Sequence, residues 1–430
     1  MINPLAQDLN DSLRGTVPGE MLSDLGMRLF FPKGIIAQGA EAKKLGKTAN
    51  ATIGMAVENK TPIILSSVKN EFTNLTSAEA VAYAPTAGNL EYRTLWKEQL
   101  VAKNPSLKNK SFSLPAVVPG LTAGISYLCD LFLKEGDVLL AANPSWDNYA
   151  LIVEARRNAS LKQFTLFNET GFNLDAFEKA VKEQAATGKV RILLNFPQNP
   201  SGYTPTKDEQ AAICKILCGV ADKGASVMVW CDDAYFGLNY EDNIAPESLF
   251  ALLCDAHEKI FAIKIDGPTK EDFAWGFRTG FLTFGGKGLT EQHYEALGKK
   301  LMGTIRSSVS CCSTPAQSIM IRAMKNPEIE AEKLKFRTGL EARYKKVRAF
   351  VDARKNNKAL TALPFNSGYF MCFRCNGFSS EDLRQKLLNE NGIGTIAIDN
   401  AHLRVAFSSL DESSIEQVYS TIYKAAEELA

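Results

Sequence analysis

The stretch IDGPTKEDFAWGFRTG, residues 265–280, leaves an apolar strand pattern and at once presents two long cations on a glycine-rich turn. The run KIFAIKID enters it, and the chain then turns at Gly267. Lys270 and Arg278 follow, eight residues apart. Taken alone, the pattern favours a solvated loop, because lysine and arginine are mostly exposed in proteins. The rest of the chain changes that interpretation.

The composition is that of an ordinary globular protein. The chain has 430 residues, of which 45% are hydrophobic and 23% are charged, and its length exceeds what one hydrophobic core usually serves. The 49 basic and 48 acidic residues nearly cancel, so we expect neither a nucleic-acid nor a membrane partner. The N-terminus lacks a signal-peptide pattern, and no apolar run approaches the length of a membrane span.

Cysteine and histidine usage bears on redox state and on metals. Nine cysteines are too sparse for a disulfide scaffold in a chain of this length. The three histidines lie far from the close cysteine pairs, which argues against zinc. We therefore expect reduced thiols, a cytoplasmic location and no metal site.

Short apolar runs alternate with amphipathic segments in the middle of the chain. Four runs have the pattern of buried parallel strands, at 137–144, 190–197, 225–233 and 259–266. Segments such as DAFEKAVKEQAA lie between them and have helical periodicity. The alternation predicts an α/β fold with a mostly parallel sheet and helices on both faces.

The C-terminal part of the chain has a different pattern. Short strands are predicted at 368–375 and 403–408, among helical segments such as SIEQVYSTIYKAAEEL. This pattern predicts a smaller α+β domain. We expect a large domain at 70–315 and a small domain formed by 1–69 and 316–430.

Polar and aromatic side chains follow each predicted strand of the large sheet. Open α/β sheets bind ligands beyond the carboxyl ends of their strands, so these side chains belong to one set. The set comprises Asn143 to Trp146, Asn199 to Gly202, Asp232 to Tyr235, Thr269, Lys270 and Arg278, with Gly120 and Thr122 at a glycine-rich helix start. That helix start offers N–H groups and a positive dipole end to a phosphate. Ring, amide, carboxylate, phenol, amine and guanidinium together match a phosphorylated aromatic aldehyde with a basic ring nitrogen, pyridoxal phosphate.

The same motifs carry a family resemblance. The chain resembles class I/II aminotransferases, the aspartate aminotransferase family of fold-type I pyridoxal-phosphate enzymes. The most specific pieces are NPSWDNY, FPQNPSG, DDAY and the spacing from Lys270 to Arg278. Each piece is weak alone, and their shared order carries the resemblance. It implies a transaminase that moves an amino group between an L-amino acid and a 2-oxo acid such as 2-oxoglutarate.

The resemblance assigns the catalytic pair. Lys270 corresponds to the Schiff-base lysine, which also carries the proton during transfer. Lys264 is the competing lysine, and it lies inside a predicted strand. Asp232 corresponds to the carboxylate that pairs with the pyridine nitrogen. Asp233 is its neighbour, which a strand would point to the opposite face.

Three further side chains are implied around the cofactor ring. Tyr235 and Asn199 are expected to hydrogen-bond the ring oxygen, and Trp146 is expected to stack on the ring. Trp146 and Asn199 would also border the substrate. Their ordinary alternatives are a turn-forming asparagine and a tryptophan that packs in the core.

The phosphate is expected at the glycine-rich helix start and the arginine that follows the lysine. Arginine supplies a bidentate fork, the threonines supply hydroxyls and the helix supplies N–H groups. The implied residues are Gly120, Leu121, Thr122, Thr269 and Arg278. One departure is Gly267, where members of the family often carry serine.

The substrate carboxylate is expected at Arg404 in LRVAFS. Leu403 and Val405 share one strand face there, so Arg404 takes the other. The resemblance agrees, and it brings Gly54 of ATIGMAV near the same carboxylate. The alternative for Arg404 is a surface ion pair.

Two residues are implied to act across a homodimer with shared active sites. Tyr83 matches a tyrosine that reaches the phosphate of the partner subunit. Arg306 stands where aspartate and aromatic aminotransferases carry an arginine that binds a distal carboxylate. That role would favour aspartate, glutamate or aromatic donors. An interfacial loop arginine is an equal alternative for Arg306.

Other functions stay open at this point. A pyridoxal-phosphate lyase or decarboxylase could use the same scaffold. A regulator with a vestigial enzyme domain would usually add a basic DNA-binding module, and none is visible in the sequence. A nicotinamide-dependent dehydrogenase lacks its glycine fingerprint after the first strand.

Overall fold

A computed structural model describes residues 2–32, 34–169 and 171–430. Its α-helices are α1 (Pro4–Ser12), α2 (Val17–Glu20), α3 (Asp24–Arg28), α4 (Ile35–Leu45), α5 (Ser66–Lys69), α6 (Ser77–Val81), α7 (Leu90–Lys103), α8 (Leu121–Phe132), α9 (Asn148–Ala150), α10 (Leu174–Ala185), α11 (Lys207–Asp222), α12 (Leu249–Leu253), α13 (Pro268–Glu271), α14 (Glu291–Arg306), α15 (Thr314–Lys325), α16 (Ile329–Asp352), α17 (Ser380–Asn391) and α18 (Ile415–Glu427). Its strands are β1 (Ala49–Asn50), β2 (Val57–Glu58), β3 (Thr61–Pro62), β4 (Ala116–Val118), β5 (Val138–Asn143), β6 (Ser160–Thr165), β7 (Lys189–Asn195), β8 (Ser226–Asp232), β9 (Ile260–Asp266), β10 (Gly280–Gly286), β11 (Leu360–Ala362), β12 (Phe370–Cys375), β13 (Ile393–Gly394), β14 (Ile396–Ala397) and β15 (His402–Ala406).

The large sheet has the predicted mostly parallel arrangement. In the described part of the chain it contains seven strands in the order β4-β10-β9-β8-β7-β5-β6. Strands β5 to β9 run parallel, whereas β10 is antiparallel to both of its neighbours. The four strands predicted from apolar runs are β5, β7, β8 and β9, each found within a residue or two of its expected bounds. The predicted α/β sheet is therefore confirmed.

Helices cover both faces of this sheet. Helix α8 packs against β4, β9 and β10, while α10, α11 and α12 pack against the sheet on the opposite side. The strand alternation fills both cores, because side chains along a strand point alternately to the two faces. On β8, for example, Trp230 belongs to one core and Val229 to the other.

The second sheet lies in the C-terminal part of the chain. It is antiparallel, with the order β11-β12-β15-β14. Phe373 packs against Tyr423 of α18, with ring centroids 5.4 Å apart, so helices cover one face. Phe370 packs instead against Tyr235, at 5.5 Å, so the other face is turned toward the end of β8.

The N-terminal segment joins this second region. Strand β1 pairs in parallel with β13, and the hydroxyl of Thr48 donates to the carbonyl of Asn391. The exchange agrees with a small domain built from both ends of the chain. The bounds of the two domains stay a prediction.

The structure also bears on the cysteines, on metal sites and on membrane spans. All nine cysteines are free thiols. Within residues 2–32, 34–169 and 171–430, no cluster of histidine, cysteine and acidic side chains could hold a metal ion. None of the described helices combines the length and apolar character needed to cross a bilayer.

The helix packing gives a stability prediction. Leu217 of α11 is fully buried, so Leu217→Ala should lower the free energy of unfolding by about 2–5 kcal/mol. Leu334 of α16 is 62% exposed, and Leu334→Ala should change it by less than about 0.5 kcal/mol. Urea denaturation of both variants measures the difference. Equal losses would contradict the packing of α11 against the sheet.

Candidate active site

The predicted site residues meet where β8 and β9 end. The two strands are parallel neighbours, with Asp232 registered against Ile265. Asp232 closes β8, and Lys270 lies on α13, which begins two residues after β9. Parallel pairing therefore brings this carboxylate and this amine to the same sheet edge.

Close glycine packing fixes the entry to α13. A Cβ atom on Gly267 would lie 2.8 Å from the Cα of Gly280, and one on Gly280 would lie 2.9 Å from a methyl carbon of Leu121. A serine at position 267 would therefore collide with backbone. The departure at Gly267 follows from this close approach of the chain.

Lys270 has a partly desolvated amine. Its Nζ lies 4.7 Å from the centre of the Tyr235 ring. Burial lowers the pKa of Lys270 to about 8, Asp232 raises it, and Arg278 lowers it further. With that pKa, about a tenth of the amine is neutral at pH 7 and about half at pH 8, and the neutral form is the one that a nucleophile or a proton acceptor requires.

Asp232 is held by hydrogen bonds at the same edge. Its carboxylate accepts from the Tyr149 hydroxyl and, over 3.2 Å, from the Ala234 N–H. Burial raises the pKa of Asp232, while Tyr149 and Lys270 lower it. Burial also raises the pKa of the Tyr149 phenol, with Asp232 adding to the effect, so this phenol stays a donor.

The neighbouring Asp233 faces the other way. Its carboxylate is paired with the ammonium of Lys264 and accepts from the Ser248 hydroxyl over 2.5 Å. Lys264 is itself buried, and it also lies 3.6 Å from Asp266. Of the two adjacent carboxylates, Asp232 is therefore the one beside Lys270, and Lys264 is occupied in an ion cluster.

The start of α8 forms an anion cradle with Arg278. A Cβ on Gly120 would lie 2.6 Å from Nη2 of Arg278, and Gly120 has a φ of +87°. No side chain caps this helix, whose first residues are Leu121 and Thr122. The guanidinium also donates to the Trp275 carbonyl over 3.1 Å. Uncapped N–H groups beside an arginine suit a phosphate.

Thr269 sits next to this cradle. It is buried, and its hydroxyl lies 3.5 Å from the Thr279 carbonyl. The predicted residues of the phosphate group thus come from α8, α13 and the turn before β10, which the large sheet brings together.

Arg404 is a buried cation that forms no ion pair with any residue in the described part of the chain. It is 2% exposed, and its Nη1 donates to Oδ1 of Asn199 over 3.0 Å. Its Nη2 donates to the Thr52 carbonyl over 2.8 Å, and the guanidinium lies 4.3 Å from the centre of the Phe370 ring. Its Nε has no hydrogen-bond partner among the described residues. Burial lowers the pKa of Arg404, and Tyr235 and Asp147 offset only part of that cost of desolvation.

Gly54 and Trp146 border the same space. A Cβ on Gly54 would lie 3.4 Å from the Phe370 ring and 3.7 Å from the Tyr235 hydroxyl. Trp146 packs edge-on against Tyr149, with ring centroids 5.3 Å apart. Gly54 therefore lies beside Phe370, which the guanidinium of Arg404 contacts, and beside Tyr235.

Tyr83 and Arg306 lie apart from this group within one chain. Tyr83 is 94% exposed. Arg306 ends α14, and its guanidinium donates to the hydroxyl of Ser310. Both roles across a dimer stay predictions.

Several site residues were missed by sequence reasoning. The phenol of Tyr149 lies three residues after Trp146 in NPSWDNY, so helical spacing offered a signal. Tyr369 donates through its hydroxyl to the Lys270 carbonyl over 3.2 Å, and Thr52 supplies its carbonyl to Arg404. These two carried no local signal, because their partners are distant in sequence.

The order of these motifs along the chain matches a known family. Residues 55–422 match the family described as "Aminotransferase class I and II". The chain belongs to the class I and II aminotransferases. It is a transferase that moves amino groups, and the resemblance stated from the motifs is confirmed.

Individual relatives of this aminotransferase are distant. It is 24% identical to a protein of Bacillus subtilis named as a probable N-acetyl-LL-diaminopimelate aminotransferase, over 73% of this chain and 72% of that one. It is also 24% identical to an aspartate aminotransferase of Sulfurisphaera tokodaii, over 77% and 75%. The crystal structure of an aminotransferase from Anaerococcus prevotii superposes with a TM-score of 0.81 at 23% identity, over 93% and 97%, which shows the fold.

The depressed pKa of Lys270 gives a prediction that needs no cofactor. The amine is protonated and unreactive below its pKa and neutral above it, so acetic anhydride should label Lys270 half-maximally near pH 8. In Arg278→Met the midpoint should rise, because a nearby cation is removed. Mass spectrometry of the labelled peptide measures both midpoints. A wild-type midpoint at the ordinary lysine value would contradict desolvation at this position.

Proposed function

We propose that this aminotransferase works with pyridoxal phosphate held covalently by Lys270. In one half-reaction an L-amino acid would give up its nitrogen, and in the other a 2-oxo acid such as 2-oxoglutarate would take it. One observation carries the proposal. A desolvated amine and a buried carboxylate lie at one sheet edge, and a buried guanidinium from β15 of the second sheet reaches Asn199 beside them.

The side chains present fit the proposed cofactor. Asp232 would pair with the ring nitrogen, Tyr235 and Asn199 would bind the ring oxygen, and Trp146 would cover a ring face. The phosphate would be held by Gly120, Leu121, Thr122, Thr269 and Arg278. When bound, the cofactor supplies an electron sink for the carbanion that forms at the substrate α-carbon.

Lys270 and Asp232 would divide the proton chemistry. The neutral Nζ of Lys270 would take the proton from the substrate α-carbon and would return a proton to the cofactor carbon that holds the transferred nitrogen. The Tyr149 hydroxyl and the Ala234 N–H donate to Asp232 and oppose the rise in its pKa that burial causes. Its charge favours a protonated ring nitrogen.

Arg404 would bind the substrate α-carboxylate. Its two terminal nitrogens now donate to neutral oxygens of Asn199 and Thr52, and a carboxylate would supply the missing charge. The fork geometry of a guanidinium suits a carboxylate bidentately. Gly54 would offer its backbone N–H near the same carboxylate.

We also infer a homodimer with shared active sites. Exposed apolar side chains lie close to Tyr83 in sequence, at Val81 and Leu90. Val309 is also exposed, and it shortly precedes Thr314, whose hydroxyl donates to the Ala82 carbonyl. Large exposed apolar areas mark protein interfaces. In such a dimer Tyr83 would reach the phosphate of the other subunit.

We further propose a substrate preference and a cellular location. Arg306, if donated across the dimer, would favour donors with a second carboxylate, such as aspartate or glutamate, or aromatic donors. The relative of Sulfurisphaera tokodaii named as an aspartate aminotransferase supports this direction. The free thiols support a cytoplasmic location.

The transfer itself can be measured with isotopes. With ¹⁵N-labelled aspartate and unlabelled 2-oxoglutarate, the proposal expects ¹⁵N-glutamate and oxaloacetate in equal amounts. Lys270→Ala should lose this turnover, because both the covalent anchor and the proton carrier are removed. Ammonia release without glutamate would contradict aminotransferase chemistry at this site. A panel of donors with Arg306→Ala alongside then tests acidic preference.

The role of Arg404 makes a matched prediction. Arg404→Lys keeps the charge and loses the fork, so the KM for the amino donor should rise about 10- to 100-fold, as expected for a charged hydrogen bond of about 1.5–3 kcal/mol. Arg374 lies exposed on the adjacent strand β12, and Arg374→Lys serves as the control. Steady-state kinetics of both variants should separate them. An unchanged KM in Arg404→Lys would remove Arg404 from the substrate site.

A further inference from the structure

Two acidic residues directly follow Lys270, and each meets a lysine from another helix. Glu271 is paired with the ammonium of Lys103 at the end of α7. The Oδ1 of Asp272 lies 2.5 Å from the Nζ of Lys333 on α16. The side chains of Asp272 and Lys333 are 0% and 5% exposed, so this pair is buried. Lys333 also lies 3.0 Å from the more exposed Glu330.

A buried ion pair is a poor source of stability. Desolvation of both charges offsets much of their attraction, and apolar side chains of similar volume often serve as well. What such a pair does provide is a fixed geometry between the two segments that carry it. Lys333 therefore fixes the position of the backbone just after Lys270.

A second contact reinforces the first. Phe273 follows Asp272 and has a φ of +54°, a left-handed conformation that a bulky side chain rarely adopts. Its ring packs against Phe336, with centroids 5.5 Å apart. Phe336 lies three residues after Lys333, on the same face of α16. Helix α16 thus contacts two consecutive residues, Asp272 and Phe273, just after α13.

The same helix reaches the substrate side of the site. Nη1 of Arg343 donates to the Ser408 carbonyl over 2.7 Å, just beyond the strand that carries Arg404. The Ser408 hydroxyl donates to the Met55 carbonyl over 3.0 Å, next to Gly54. Ten residues of continuous helix separate Lys333 from Arg343, about 15 Å along the axis. Helix α16 therefore connects the segment just after Lys270 with the segment just after Arg404.

We propose that Lys333 is a positioning residue that sets the amine of Lys270 relative to Arg404 by holding Asp272 against α16. The inference rests on the proposed role of Lys270 as the covalent anchor. Lys333 would touch neither substrate nor cofactor, and it would act through the backbone of residues 270–273, at the end of α13. The alternative is a purely structural ion pair, which stabilises the fold without affecting the placement of the amine.

Two ligands distinguish these possibilities in the cofactor-free protein. Pyridoxamine phosphate occupies the site without bonding to Lys270, so its Kd reports the phosphate and ring contacts alone. The rate at which pyridoxal phosphate attaches covalently, followed by its visible absorbance, also reports where the amine lies. The variants are Lys333→Met and the double variant Lys333→Met with Asp272→Asn. The control is Lys345→Met, which removes an exposed pair with Glu341 on the same helix.

The positioning role predicts a split between the readouts. In Lys333→Met, covalent attachment should slow about 10- to 100-fold, in line with the cost of a misplaced reacting group, while the Kd for pyridoxamine phosphate stays unchanged. Lys333→Met should lower the melting temperature, because it leaves Asp272 buried and unpaired. The double variant should recover the wild-type melting temperature and should still attach pyridoxal phosphate slowly. Lys345→Met should behave as wild type.

Other outcomes overturn the proposal. Attachment at the wild-type rate in Lys333→Met, or recovery of the rate together with the melting temperature in the double variant, would make the pair purely structural. A parallel loss of pyridoxamine phosphate affinity would do the same. Failure of the wild-type protein to attach pyridoxal phosphate at all would instead refute the proposed function.

Discussion

The site depends on the cost of burying charged groups at the carboxyl edge of β8 and β9. An amine, a carboxylate and a guanidinium all lie where water is largely excluded, and each shows the consequence in its pKa. Burial makes part of the Lys270 amine neutral and makes Asp232 dependent on donated hydrogen bonds. It also lowers the pKa of Arg404. In the proposed function, a bound cofactor and substrate would supply the interactions that these buried groups lack.

Strand alternation sorts the charges of this edge into two groups. On β8, Asp232 points toward Tyr149 and the site, whereas Asp233 points to the opposite face and neutralises Lys264. On β9, Lys264 and Asp266 share that second face, where the indole N–H of Trp96 donates to Asp266 over 3.1 Å. Burial raises the pKa of Asp266 to about 6, although Lys264 lowers it. The cluster behind the sheet holds the strand ends rigidly, and the opposite face is left for chemistry.

Most of the large sheet was predictable from local patterns. Continuous apolar runs gave β5, β7, β8 and β9, because parallel strands are buried on both faces. The preference for Asp232 over Asp233 rests on the family pattern and the preference for Lys270 over Lys264 on the spacing to Arg278, and both stay predictions; in the fold, Asp233 and Lys264 pair with each other. The contacts of Arg404 with Asn199 and Thr52 were not predictable in the same way. They join residues more than 200 positions apart, and only the folded chain brings them together. The same holds for Lys333, which belongs to no motif. Only the fold shows that its Nζ lies 2.5 Å from Oδ1 of Asp272.

The lysine that bonds the cofactor is the central claim, and one chemical experiment addresses it directly. Protein mixed with pyridoxal phosphate is reduced with borohydride, digested, and the modified peptide is sequenced by mass spectrometry. The proposed chemistry places the label on Lys270, because burial lowers the pKa of its amine, whereas the amine of Lys264 is paired with Asp233 and has a raised pKa. A label on Lys264 or on any other side chain, or no label with the cofactor in excess, would contradict it.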